Sequence, residues 1–123
     1  MVEEQELTKG EGRTKVTFLV QHLGNDITVH IYNQNAHIGA VAVAEFDTDS
    51  GRTSTSVITR RGHKDDVAAQ KVAYMITKNT KRPSCVIAGI HIDEITEAEI
   101  EQILANVDNL SDEYIAQQHR RKR

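Results

Sequence analysis

The chain has 123 residues and a formal net charge of −3, which means one domain with a real core and no global field that would favour nucleic acid. A single cysteine, Cys85, excludes an internal disulfide framework and suits a reducing cytoplasm, and no apolar run is long enough to span a bilayer or to form a signal-peptide core. Aromatic residues are scarce and tryptophan is missing, so a base-stacking platform for single-stranded nucleic acid is not expected.

Residues 1–13 are polar and acidic, with Gly10 and Gly12 close together, and read as a flexible N-terminal extension. From residue 14 the pattern changes. Val16, Phe18 and Val20 alternate with Thr17, Leu19 and Gln21, the period of a strand of about ten residues. Leu23-Gly24-Asn25-Asp26 is a tight hairpin turn. Ile27, Val29 and Ile31 mark a second strand, with Thr28, His30 and Tyr32 on its other face. After the turn Asn33-Gln34-Asn35-Ala36, a third strand runs over 37–46. Its middle, from Ile38 to Ala44, is apolar on both faces, as in a central strand, and its small residues leave room for a helix or a ligand. Asp47-Thr48-Asp49-Ser50-Gly51 turns the chain into a β-branched fourth strand over 53–59.

Arg60-Arg61-Gly62-His63-Lys64-Asp65-Asp66 then separates a period of two from a period near 3.6. The spacing predicts a helix over 64–77, with Ala68, Ala69, Val72, Met75 and Ile76 on one stripe and Pro83 beyond its end. Ser84 to Ile92 read as another central strand, in which Cys85 is buried and inert. Thr96-Glu97-Ala98-Glu99 is a capping box, with Ile95 and Ile100 at staple positions. Ile100, Ile103, Leu104 and Val107 form the stripe of the helix that follows. Ser111-Asp112-Glu113 looks like the N-cap of a further short helix, and residues 119–123 form a basic tail.

These elements predict an α+β domain over 14–118: an antiparallel β-meander sheet with two main C-terminal helices packed on one face. The other face carries Thr17, Gln21, Thr28 and His30 or their opposites, and a partly apolar open face suits a dimer contact.

The basic turn is the main candidate site. A helix N-terminus presents unpaired N–H groups and a partial positive charge. Arg60, Arg61 and Lys64 add fixed cations, Gly62 allows close backbone approach, and His63 can donate a hydrogen bond, so a phosphate or carboxylate fits there. The competing reading is a solvated turn. The six histidines show no local zinc spacing, and no triad order, dinucleotide fingerprint or Walker loop is present. No metal and no catalytic residue is expected.

Gly62-His63-Lys64-Asp65-Asp66 before a helix, then Ala88-Gly89-Ile90-His91-Ile92-Asp93 before Ile95-Thr96, resemble the prenylated-flavin chaperone family. This is the small D subunit associated with bacterial gallate decarboxylase, whose domain is similar to the proteasome assembly chaperones. The resemblance spans residues 14–110. It implies a cytoplasmic, non-enzymatic accessory protein for a prenylated-flavin-dependent decarboxylase, with a flavin prenyltransferase as a further partner. It implies prenylated FMN, or FMN, as a reversibly bound cofactor. The resemblance defines no ligand set; the chemistry of the residues themselves points to Arg60, Arg61, Gly62, His63 and Lys64, together with Gly39, Gly89 and His91. Gly39, Ala40 and Gly89 would admit the flat ring system. Two other functions stay open: an assembly factor that binds no flavin, and a small enzyme with His63 or His91 as general base. A homodimer is expected, with no nucleic acid and no membrane partner.

Overall fold

The structure, a computed structural model, describes residues 3–60 and 65–121. The strands are β1 (Glu3–Lys9), β2 (Val16–Leu23), β3 (Asp26–Tyr32), β4 (Ala40–Asp47), β5 (Arg52–Thr59) and β6 (Ser84–Gly89), and the helices are α1 (Asp66–Thr80) and α2 (Glu97–Arg121). They build a mixed α+β fold around one six-stranded sheet of order β1-β2-β3-β6-β4-β5. The sheet is mostly antiparallel, the exception being the parallel β3–β6 pair.

One face is the core. Phe18, Val20, Val29, Ile31, Ala42, Ala44, Val86 and Ala88 point to it and are fully buried. α1 lies over β4, β5 and β6, α2 lies over β1 and β2, and the helices touch each other. The alanines of β4 let α1 approach closely, so the small residues there serve helix packing. α1 buries Ala69, Val72, Ala73 and Ile76, the spacing of a single helical stripe. It ends at Lys81, which takes a left-handed conformation (φ 60°) and donates its N–H to the Thr77 carbonyl at 2.7 Å.

Three expectations change. Residues 3–9 are not a loose extension. They form β1 on the edge of the sheet, anchored by buried Leu7 opposite Phe18. Arg13, beyond it, donates from Nε to Glu99 at 2.9 Å and from Nη2 to the Asp93 carbonyl at 2.8 Å. The sheet is also not a simple meander, because β6 inserts between β3 and β4. There its backbone pairs along both edges, parallel to β3 and antiparallel to β4. Finally, α2 is continuous through Ser111. Val107, Leu110, Tyr114 and Ile115 carry one buried stripe across the apparent cap, and with no Gly or Pro there the packing wins over the capping signal. The capping box at the start of α2 is formed in both directions: Glu99 N–H donates to Thr96 Oγ1 at 3.1 Å and Thr96 N–H to Glu99 Oε1 at 3.0 Å.

The second sheet face is open. Register places Leu19, His30, Ile87, Val41 and Ile58 side by side in one row crossing five strands. Cys85 lies on this same face, half-buried, with burial pushing its thiol up.

Candidate functional site

The insertion of β6 creates the site. To pass from β3 to β4, residues 33–39 must cross the end of β6. Gly89 permits that crossing, because a Cβ there would run into the backbone of His37. Asn33, 4% exposed, fastens the crossing. Its Nδ2 donates to the His91 carbonyl at 3.0 Å, and its Oδ1 accepts from the N–H groups of Asn35 at 3.1 Å and His91 at 3.3 Å. His91 thus lies beyond β6 in a pinned loop, exposed, with Nε2 2.9 Å from Asp93 Oδ1 and its ring 6.5 Å from that of His37.

Gly39 follows the same logic. Its N–H donates to the Ala88 carbonyl at 2.9 Å, its carbonyl accepts the Arg60 N–H at 2.8 Å, and a Cβ would collide with the Asp65 carboxylate. The space that Gly39 and Gly89 leave is therefore filled by the chain itself, and it is not the slot for a flat ring expected from the sequence. Arg60 is exposed and donates one guanidinium bond to the Ile38 carbonyl at 2.8 Å. Asp65 precedes α1 without capping it. Its Oδ1 accepts the Ile90 N–H at 3.1 Å, and its Oδ2 lies 3.7 Å from His37 Nε2. Arg60, Gly39, Gly89 and His91 are thus gathered at one end of the sheet, while Arg61, Gly62, His63 and Lys64 lie outside the described residues. Among the described residues, no three of His, Cys, Asp and Glu gather as a metal-ligand set.

A cleft of about 440 Å³ opens at this end, on the helix side. α2 contributes Ile100, Ile103 and Leu104, which share a face at i, i+3 and i+4. Ile90, Ile92 and Ile95 come from the segment after β6, Val67 and Ala68 from the start of α1, and Asp65 and His91 supply the polar rim. The floor is buried, with Ile92 at 7% and Ile103 at 6% exposed, whereas Ile95, Ile100 and Leu104 remain 40–42% exposed. A larger concavity of about 670 Å³ lies by His22, Arg120 and Arg121, among mostly polar and charged side chains.

In the sequence, Asn33, His37 and the cleft give no signal of their own. Ile100 and Leu104 read as core stripe, yet the buried stripe of α2 passes through Ile103, Val107 and Leu110 and leaves these two on the cleft.

This architecture has a counterpart among solved assembly chaperones. A chain of a chaperone complex for yeast 20S proteasome assembly superposes with a TM-score of 0.62 at 15% identity, covering 94% of this chain and 93% of that one, so the two share a fold. The prenylated flavin chaperone LpdD-like domain matches residues 10–119, and the chain belongs to that family. Protein LpdD of Lactiplantibacillus plantarum (strain ATCC BAA-793 / NCIMB 8826 / WCFS1) is 27% identical over 99 residues, 80% of this chain and 73% of that protein. The family match starts at Gly10, so β1 lies outside it.

Proposed function

We propose that this chain is a non-catalytic, cytoplasmic chaperone that holds prenylated FMN reversibly and loads it into a prenylated-flavin-dependent hydroxyaromatic acid decarboxylase such as gallate decarboxylase. A flavin prenyltransferase supplies the cofactor, and the chain works as a homodimer. Family membership supports the chaperone role. The observation that carries the cofactor reading is the convergence of Arg60, Asp65 and His91 on one sheet end, beside an apolar cleft. A flavin nucleotide needs donors for its phosphate and apolar room for its ring system. Exposed guanidinium donors and an aliphatic cleft suit both needs. Arg61 and Lys64 join Arg60 in holding the phosphate, with Gly62 and His63 between them. A carrier must release its cargo, so binding is salt-sensitive.

The test is to express the decarboxylase and its prenyltransferase with and without this chain, then measure cofactor occupancy and initial rate. Occupancy and rate rise together while the rate per occupied site stays constant. With Arg61→Ala and Lys64→Ala combined, flavin affinity of the chain drops by about one to two decades per lost charge-assisted bond, roughly 1.5–3 kcal/mol each, and loading drops with it. A decarboxylase fully loaded without this chain would remove the loading role. A higher rate per occupied site would indicate a catalytic subunit instead.

A further inference from the structure

We propose that the concavity between Arg82, His22 and the last turn of α2 is a second binding site, and that its ligand is a phosphate-class dianion such as a phosphate monoester. It stands apart from the flavin-holding reading, because it lies at the other end of the sheet. Ile27 of β3 pairs with Ser84 of β6 at one end, and Tyr32 pairs with Gly89 at the other. The apolar cleft lies beyond Gly89. The second concavity lies beyond Ser84, where Arg82 leads into β6 and where Gly24 and Asn25 turn β2 into β3. It holds about 490 Å³ and is walled by Gln118 and Arg121 of α2.

Three observations carry it. The first is Arg82, half-buried on a fixed backbone. Its N–H donates to Thr80 Oγ1 at 3.2 Å, and its carbonyl accepts from Thr77 Oγ1 at 2.8 Å. Among the described residues, no carboxylate forms an ion pair with its guanidinium. A partly desolvated cation with a free fork of donors suits an oxyanion. The second is Gln118, 6% exposed, whose buried Nε2 has no hydrogen-bond partner. A buried donor left unmet is costly, and an oxyanion supplies only acceptors. The third is the field at His22, which shares the wall. Burial and then Arg82 lower its pKa, and Arg121 adds to them, against Glu3, which raises it. Both guanidinium charges therefore act on one spot. Glu3 stands 3.9 Å from Arg121 and leaves Arg82 unneutralised. The remaining group facing the ring is Tyr114, whose hydroxyl lies 2.7 Å from Nε2. A bound dianion reverses the balance at His22 and favours its protonated form. By reciprocity, a protonated His22 strengthens anion binding, so affinity rises as pH falls through the histidine range.

The experiment titrates the full chain with inorganic phosphate by isothermal calorimetry, at constant ionic strength set with chloride. One phosphate per chain should bind saturably. Arg82→Ala should lower the affinity by about one to two decades, the usual loss for a charge-assisted bond. Arg82→Lys keeps the charge without the fork and should lose less. Gln118→Leu removes the unmet donor and should also weaken binding. Thermal melts confirm that each variant is folded. The ring-proton resonance of His22, assigned with His22→Gln, is then titrated with and without sulfate, which stays a dianion throughout this range. Its midpoint should move up when sulfate is present. A parent that binds no phosphate above the chloride background would overturn the inference. So would an Arg82→Ala variant that binds as tightly as the parent, or a His22 midpoint that sulfate does not move. Flavin affinity should be the same in Arg82→Ala and parent. A fall there would make this concavity the seat of the flavin phosphate and overturn a separate site.

Discussion

Gly89 shows how a single residue sets the sheet order. β6 fits between β3 and β4 only because the crossing loop can press its backbone onto a residue with no side chain. The obstacle is the His37 backbone, which has no rotamer to yield, so Gly89→Ala should cost roughly 1–3 kcal/mol, as overpacking usually does. Chemical denaturation measures this directly, and an unchanged midpoint would mean the loop yields freely. His22 argues a second case. The hydroxyl of fully buried Tyr114 lies 2.7 Å from His22 Nε2, and burial pushes that phenol up to about 12, so it stays protonated and can donate to a neutral ring. Burial, aided by the charge of Arg82, lowers the His22 pKa from its ordinary 6.5. The unfolded chain therefore binds this proton more readily than the folded one. The contribution is complete above the unfolded pKa and is lost as pH falls from there through the folded pKa. Melting temperature should decline between about pH 7 and about pH 5, the histidine range. His22→Gln keeps an acceptor for Tyr114 without titrating, and it should lose less over that interval. Identical declines in parent and variant would acquit His22.

At the scale of elements, what the sequence disclosed was local. Alternation marked β2 and β3, apolar runs marked β4 and β6, and β-branched residues marked β5, while the capping box marked the start of α2 because both of its bonds lie within four residues. Strand neighbours are decided by non-local pairing, so the place of β6 was hidden. β1 was hidden too, since an edge strand with Leu7 as its one buried anchor has no apolar alternation to show. The same limit applied to the site. Arg60, Gly39, Gly89 and His91 do meet, but Asn33 and His37 join them only through the crossing loop, and no spacing in the sequence encodes that crossing. Ser111 misled for a physical reason: an N-cap signature and a buried interior serine look alike until packing chooses. Asp112→Pro distinguishes the two. Proline suits the first position of a fresh helix but costs about 3 kcal/mol or more in a helix interior. Asp112 is exposed, so no packing is lost with its side chain. The continuous α2 predicts the large loss on denaturant unfolding, and a loss of only a few tenths would restore a helix break at Ser111.

Over the whole molecule, the two sheet faces have different work. The helices cover one face and form the cleft at its end. The other face is left with a row of Leu19, His30, Ile87, Val41 and Ile58 across five strands, beside Val43 in the next row. Ile58 is 75% exposed and Val43 51%, on strands that pair well with their neighbours, so the exposure does not reflect poor folding. Ile87, Val41 and Ile58 run apolar across β6, β4 and β5, with Leu19 beyond His30, and such a patch on an otherwise polar face suits association; a two-fold dimer satisfies it with the same patch on both copies. Such a dimer would turn both helix layers outward. Each cleft then stays open to solvent, and the two clefts do not obstruct one another. Light scattering at micromolar concentration should therefore give twice the chain mass of 13.8 kDa. Ile58→Lys places a charge on the stripe at a position already in water, so the monomer fold should survive while the mass falls to that of one chain. Flavin affinity per chain should not change, because the clefts lie on the opposite side of the sheet. A parent that is monomeric at every concentration would remove the dimer altogether. A variant that stays dimeric would move the contact to the sheet edges at β1 and β5.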